Sequence, residues 1–172
     1  RSALVLVDTV HGTRSVLWQR DPRLAVAPGQ VSAEVWTSGR MLLVDGTDLD
    51  AATEGARLAR ADGIPVVADL EGVEPGTDAL LAHVDVLIAS ARFPERLTGL
   101  IEPEAAIVAV AARWGVPAVV TTLGERGSLA WCNGTMVRTP AMPVVCVDST
   151  GAGDAFHGGF IAACLNPQGA SF

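Results

Sequence analysis

Asp148-Ser149-Thr150-Gly151-Ala152-Gly153-Asp154-Ala155-Phe156 is the stretch on which the reading of this chain turns. It follows the apolar run Val144-Val145-Cys146-Val147 and opens an apolar-periodic segment that ends near Leu165. A strand that turns through small residues into a helix leaves the helix's first backbone N–H groups unpaired and aimed at one spot. Together with the positive end of the helix dipole, those donors make an anion site. Gly151 and Gly153 let a bulky anion come closer to the backbone than a Cβ would permit. Asp154 is the odd member, because an anion site has no use for negative charge. Its presence points to a proton being taken there. A turn chosen only for tight strand–helix packing would explain the glycines and leave Asp154 unexplained.

Two glycine motifs fail against this stretch. A phosphate-binding loop of the Walker type ends in Gly-Lys-Ser/Thr, and all 12 basic residues of this chain are arginine. The lack of lysine also removes a phosphate-clamping strand lysine and any lysine Schiff base. A dinucleotide fingerprint needs a third glycine, and Phe156 stands in its place.

Upstream, apolar runs alternate with helical patterns. Residues 3–7 and 15–18 read as a hairpin around His11-Gly12-Thr13, and 21–39 as connection. Met41–Val44, Ile64–Ala68, Val84–Ile88 and Val116–Thr121 read as buried strands. Helices are expected over 49–61, with Asp48 as N-cap and Gly63 beyond the end, over 92–98, and from Pro103 to Arg113. Asn133-Gly134 between Leu129–Trp131 and Met136–Val137 is a strong hairpin signal. Such alternation implies a mostly parallel sheet covered on both faces, with ligands outside the carboxyl ends of its strands. Ser90, Thr121-Thr122 and the 148–154 turn all fall at such ends. Trp18, Trp36, Trp114 and Trp131 share no spacing and read as packing residues. Gly158-Gly159 is read as close packing of helix on sheet, and His157 as a polar or capping residue.

Ser149-Thr150-Gly151-Ala152-Gly153-Asp154-Ala155-Phe156, followed by Gly158-Gly159, resembles the C-terminal signature of the ribokinase-like (PfkB) family of carbohydrate kinases. Thr121-Thr122-Leu123-Gly124-Glu125-Arg126-Gly127 is similar to that family's nucleotide segment. Leu97-Thr98-Gly99 and Gly63-Ile64-Pro65-Val66-Val67-Ala68-Asp69 resemble further family stretches, in the family's order. The resemblance implies a three-layer αβα ribokinase-like fold, incomplete in this chain, plus a small N-terminal β hairpin. Residues 1–39 would be a lid-proximal segment and connection, and 40–172 the nucleotide-binding and catalytic core of a longer kinase.

The same resemblance implies an ATP-dependent phosphotransferase acting on a hydroxyl of a sugar or sugar-like alcohol. Asp154 would be the catalytic base, and Gly151, Ala152 and Gly153 with it the anion hole. Thr122, Gly124, Gly127 and Ser90 would contact the nucleotide; an ordinary turn before a strand is the competing reading of the first three. Asp148 and Thr150 match positions that bind a monovalent cation such as K+ in some relatives, or form a turn-capping pair. Mg2+ would accompany ATP. Family members often carry Asn-x-x-Glu where this chain reads Ser90-Ala91-Arg92-Phe93, and Phe93 cannot replace the Glu tied to the magnesium–phosphate network. A nucleoside kinase of the same fold and a non-catalytic sugar- or nucleotide-binding relative remain alternatives. The expected partners are a small-molecule sugar and ATP, and a homodimer is compatible with the resemblance.

Composition narrows the classes further. The chain has 172 residues, 49% of them hydrophobic, and a net charge of −7. That length suffices for one domain with a real core. The acidic balance argues against nucleic acid as a partner, since phosphate neutralisation needs a basic face. No apolar run approaches a membrane span. Cys132, Cys146 and Cys164 lack metal-type spacing and read as buried thiols in a reducing compartment, hence a cytoplasmic location.

Overall fold

In the computed structural model, residues 2–8, 10, 13–145 and 149–166 are described. The chain opens with strands β1 (Ser2–Asp8) and β2 (Thr13–Gln19), paired antiparallel with Leu4 opposite Leu17. A short helix α1 (Ala33–Trp36) leads into β3 (Leu42–Asp45), α2 (Leu49–Ala61), β4 (Val66–Leu70), α3 (Thr77–Leu81) and β5 (Val86–Ser90). Helices α4 (Arg92–Thr98) and α5 (Pro103–Trp114) precede β6 (Ala118–Thr122). The hairpin β7 (Ser128–Cys132) and β8 (Thr135–Thr139) and the helix α6 (Ala152–Leu165) complete the described strands and α-helices.

Strands β3 to β8 form a six-stranded sheet in sequence order; β3 to β6 run parallel and β7 and β8 antiparallel. Sequential order fixes the layering. Right-handed crossovers between successive parallel neighbours place every connecting helix on the same face. Ala52, Ala56, Ala59, Leu80, Leu81, Phe93, Ile107 and Val110 accordingly share one core cluster with Val44, Ala68, Leu87, Ala89 and Val119. The opposite face, Val67, Val86, Ile88, Ala118 and Val120, is left to α6, which covers it with Phe156, Phe160 and Ile161. Asn133 (φ 47°) and Gly134 (φ 90°) both occupy the left-handed region, as the tight β7–β8 turn requires.

Several expectations are corrected. Asp48 stands at the N-cap of α2 but makes no capping bond with its side chain. Its carboxylate pairs instead with Arg20, Nη2 to Oδ2 2.5 Å, and Arg20 also donates to the Thr47 and Leu24 carbonyls. The tryptophans do not all pack, since Trp18 is 74% exposed. Gly158 and Gly159 do not serve close packing, because a Cβ at either would meet nothing within 4 Å. Cys132 and Cys164 are half-buried rather than buried, and Cys146 lies outside the described residues. No helix is long and apolar enough to cross a membrane among the described residues.

Candidate active site

Strand alternation sets the site. On the face that α6 covers, β3 ends in Asp45 and β4 carries Asp69 one residue before its end, directly opposite each other in the parallel register. One strand further, Ser90 and Thr122 oppose each other at the ends of β5 and β6. All four are carboxyl-end residues, where an α/β sheet presents ligand-binding groups. Gly151 caps α6 in the left-handed region (φ 75°), and Asp154 lies in the first turn. The Ala152 N–H turns back onto the Ser149 carbonyl at 3.2 Å, and Ala155 donates to Gly151 at 2.8 Å. Among the described residues no backbone hydrogen bond engages the N–H groups of Gly153 and Asp154. A Cβ at Gly153 would meet nothing within 4 Å, so the approach to those amides is open.

Asp154 is exposed and lines a cavity of about 460 Å³ with Asp45, Asp48, Asp69, Val44 and Trp36. A larger neighbouring cavity of about 980 Å³ shares Asp45, Asp48 and Asp69 and runs out past Trp18, Arg20, Glu71 and Glu74. Burial holds the Asp69 carboxyl above the usual carboxylate range; Glu71, Asp154 and Asp45 push the same way, and His157 opposes them. His157 is 7% exposed and sits one turn beyond the glycine turn, its Nδ1 2.7 Å from the Gly153 carbonyl. Its Nε2 lies 3.4 Å from Asp69 Oδ1.

The structure thus brings Asp154 and the amides of the 151–154 turn beside the ends of β3 and β4. The Ala152 amide, expected as an anion donor, is taken up by the turn. Ser90 and Thr122 lie on the sheet face that α6 covers, but neither they nor Gly124 or Gly127 lines the cavity that holds Asp154. Gly127 has a structural reason of its own: a Cβ there would stand 1.9 Å from the Thr139 carbonyl oxygen. Thr150 lies in the turn, and Asp148 is outside the described residues. Sequence reasoning missed the clustering of Asp45, Asp48 and Asp69 and the place of His157. The signal for His157 was a polar residue one helical turn from Gly153, on the side of an otherwise apolar segment.

A family model for the pfkB family carbohydrate kinases matches residues 2–172. The chain belongs to that family. Ribokinase of Haemophilus influenzae is 29% identical over 143 residues, covering 81% of this chain and 47% of that protein. Cytidine kinase of Thermococcus kodakarensis is 43% identical over 77 residues, 41% of this chain and 27% of that protein. The structure of Arabidopsis thaliana ribokinase complexed with ribose and ATP superposes with a TM-score of 0.80 at 25% identity, over 94% of this chain and 55% of that one. The fold is the ribokinase fold, and the chain spans about half the length of the ribokinases it matches. Where many family members carry the Glu of Asn-x-x-Glu, Phe93 is fully buried in the α4 layer. Among the described residues no group of three or more His, Cys, Asp or Glu is placed to hold a metal. The residues present therefore do not build a protein-held magnesium site at that position.

Proposed function

We propose that the chain carries the phosphoryl-transfer half of an ATP-dependent kinase for a sugar or sugar-like alcohol. The observation behind this reading is the coincidence of a carboxylate and open helix-terminal amides at one cavity beside the carboxyl ends of β3 and β4. Asp154 takes the proton of the acceptor hydroxyl as that oxygen attacks the γ-phosphorus. The bond from the γ-phosphorus to its bridging oxygen breaks, and ADP leaves. The transition state of such transfers is loose, so placement and charge neutralisation supply most of the catalysis. The amides of Gly153 and Asp154 hold charge developing on the phosphoryl oxygens, and the Gly151 turn presents them. Ser90 and Thr122 offer hydroxyls to the nucleotide at the adjoining strand ends, with Gly124 and Gly127 shaping the loop after Thr122. Magnesium enters this reading only as the ion that ATP carries, and Asp148 with Thr150 as a seat for a monovalent cation. Residues 1–39 act as the lid-proximal part and 40–172 as the core, in a cytoplasmic protein with a sugar and ATP as its small-molecule partners.

Asp154→Asn tests the reading. It should lower kcat by at least about 10²-fold, the low end for loss of a general base, with little change in KM. Turnover close to wild type would exclude Asp154 as the base. The cytidine kinase relative favours a second reading, a nucleoside acceptor. An ADP-release screen over ketoses, aldoses, sugar phosphates and nucleosides separates the two.

A further inference from the structure

His157 is the one strongly buried side chain of α6, and its two ring nitrogens face different partners. Nδ1 lies 2.7 Å from the Gly153 carbonyl oxygen. A carbonyl only accepts, so Nδ1 carries a proton. Nε2 is buried with no hydrogen-bond partner, 3.4 Å from Asp69 Oδ1. If neither atom held a proton, two acceptors would face each other in a half-buried site, a repulsive arrangement. One proton between them removes the conflict, whichever atom holds it. The surroundings favour keeping that proton, because Asp45 from β3, Glu71 beyond β4 and Asp154 from α6 all act on the same carboxyl.

We propose that Asp69 and His157 are a positioning pair which shares one proton and clamps the first turn of α6, with Asp154 and its neighbouring amides, to the end of β4. The inference rests on the kinase reading for its kinetic consequence, but not for its geometry. Neither residue needs to touch substrate. The pair acts through Gly153, whose carbonyl His157 holds and whose amide and neighbour form the site. A small displacement of a reacting group is costly, up to about 10²-fold for about 1 Å. Asn at position 69 still donates an N–H to Nε2; Leu donates nothing.

The test uses His157→Phe, Asp69→Leu, Asp69→Asn and the double variant His157→Phe/Asp69→Leu. His157→Phe and Asp69→Leu should each lower kcat by about tenfold to about 10²-fold, with KM for ATP little changed. The double variant should lose no more than either alone, and Asp69→Asn should keep kcat within about threefold of wild type, since its amide keeps the bond. Additive losses, or a loss in Asp69→Asn as large as in Asp69→Leu, would overturn the pair and make Asp69 an independent contact. A second readout needs no turnover. Nitrogen chemical shifts of the His157 ring, assigned by their absence in His157→Phe, should show a protonated Nδ1 in wild type and in both Asp69 variants, because the Gly153 carbonyl fixes it, and an Nε2 shift close to that of wild type in Asp69→Asn but displaced in Asp69→Leu. An Nε2–H tautomer in wild type sinks the proposal. Absence of any ATP-dependent turnover alongside the expected ring signals would sink the kinase reading and leave the pair standing.

Discussion

A methyl carbon added at Gly127 would lie 1.9 Å from the Thr139 carbonyl oxygen and 2.7 Å from the Ala141 nitrogen, with φ at +87°. Both the backbone angle and the space exclude a side chain, and the obstructing atoms are main chain. Gly127→Ala should therefore destabilise the chain by about 3 kcal/mol or more, at the high end for single substitutions, measured by urea unfolding. A change below about 1 kcal/mol would contradict the close approach. Asp69 makes the opposite kind of prediction. Its folded-state value is raised, first by burial. Its protonated form therefore contributes stability that is present below the unfolded value, about 3.9, and is lost as pH rises through the folded value. Above that window the ionised carboxylate weighs against folding. Asp69→Asn removes the dependence. Its melting temperature should exceed that of wild type at pH 7, with the gap narrowing as pH falls toward about 4. A gap that widens in acid would reverse the sign. Read with the positioning pair, Asp69 is a residue that costs stability where it serves the site.

At the level of elements, the sequence placed helix 92–98 and the start of α5 at Pro103 where the structure has them. The parallel strands were legible but offset. Val66–Leu70, Val86–Ser90 and Ala118–Thr122 each begin two residues after the apolar run that announced them and extend beyond it. Pro65 and Pro117 explain two of the late starts, since neither has an N–H for the ladder. The late ends have a simpler cause: Asp69, Ser90 and Thr122 are polar, so a search for apolar runs stops short of them. Helix α3 is five residues long and too short to show a period; its buried Thr77 Oγ1 accepts the Glu74 N–H at 3.0 Å. The short α1 was likewise lost in a connection, yet Trp36 from it sets the fit of α2. A Cβ at Gly55 would come within 2.5 Å of the Trp36 ring. Ala favours a helix over Gly by about 1 kcal/mol, whereas overpacking costs about 1–3 kcal/mol. Gly55→Ala should come out net destabilising in urea unfolding, and Gly55→Ala combined with Trp36→Leu should recover the loss. A stabilised single variant would show that the ring yields freely.

Across the whole molecule, stability is unevenly distributed. Strands β4 to β6 carry about half of the fully buried core residues, whereas β1 and β2 pair only with each other and expose Leu4, Leu6, Val7 and Leu17 at 52–65%. A lone two-stranded hairpin is marginal in water. Hydrogen exchange should be slowest in β5 and β6 and faster by several orders of magnitude in β1 and β2. Equal protection of the two sheets would refute this division. The antiparallel addition β7–β8 was legible from Asn133-Gly134, but the segregation of the helices was not, because it follows from strand order rather than from local pattern. Among the described residues, α6 alone roofs the second face of the sheet, and the same helix begins with the turn proposed above for phosphoryl transfer. On that proposal, waterproofing and turnover are vested in one rod. Any drift selected to retune the chemistry also unroofs Val67, Ile88 and Val120, so adaptation to a new acceptor has more freedom along β3 and β4 than on the helix itself.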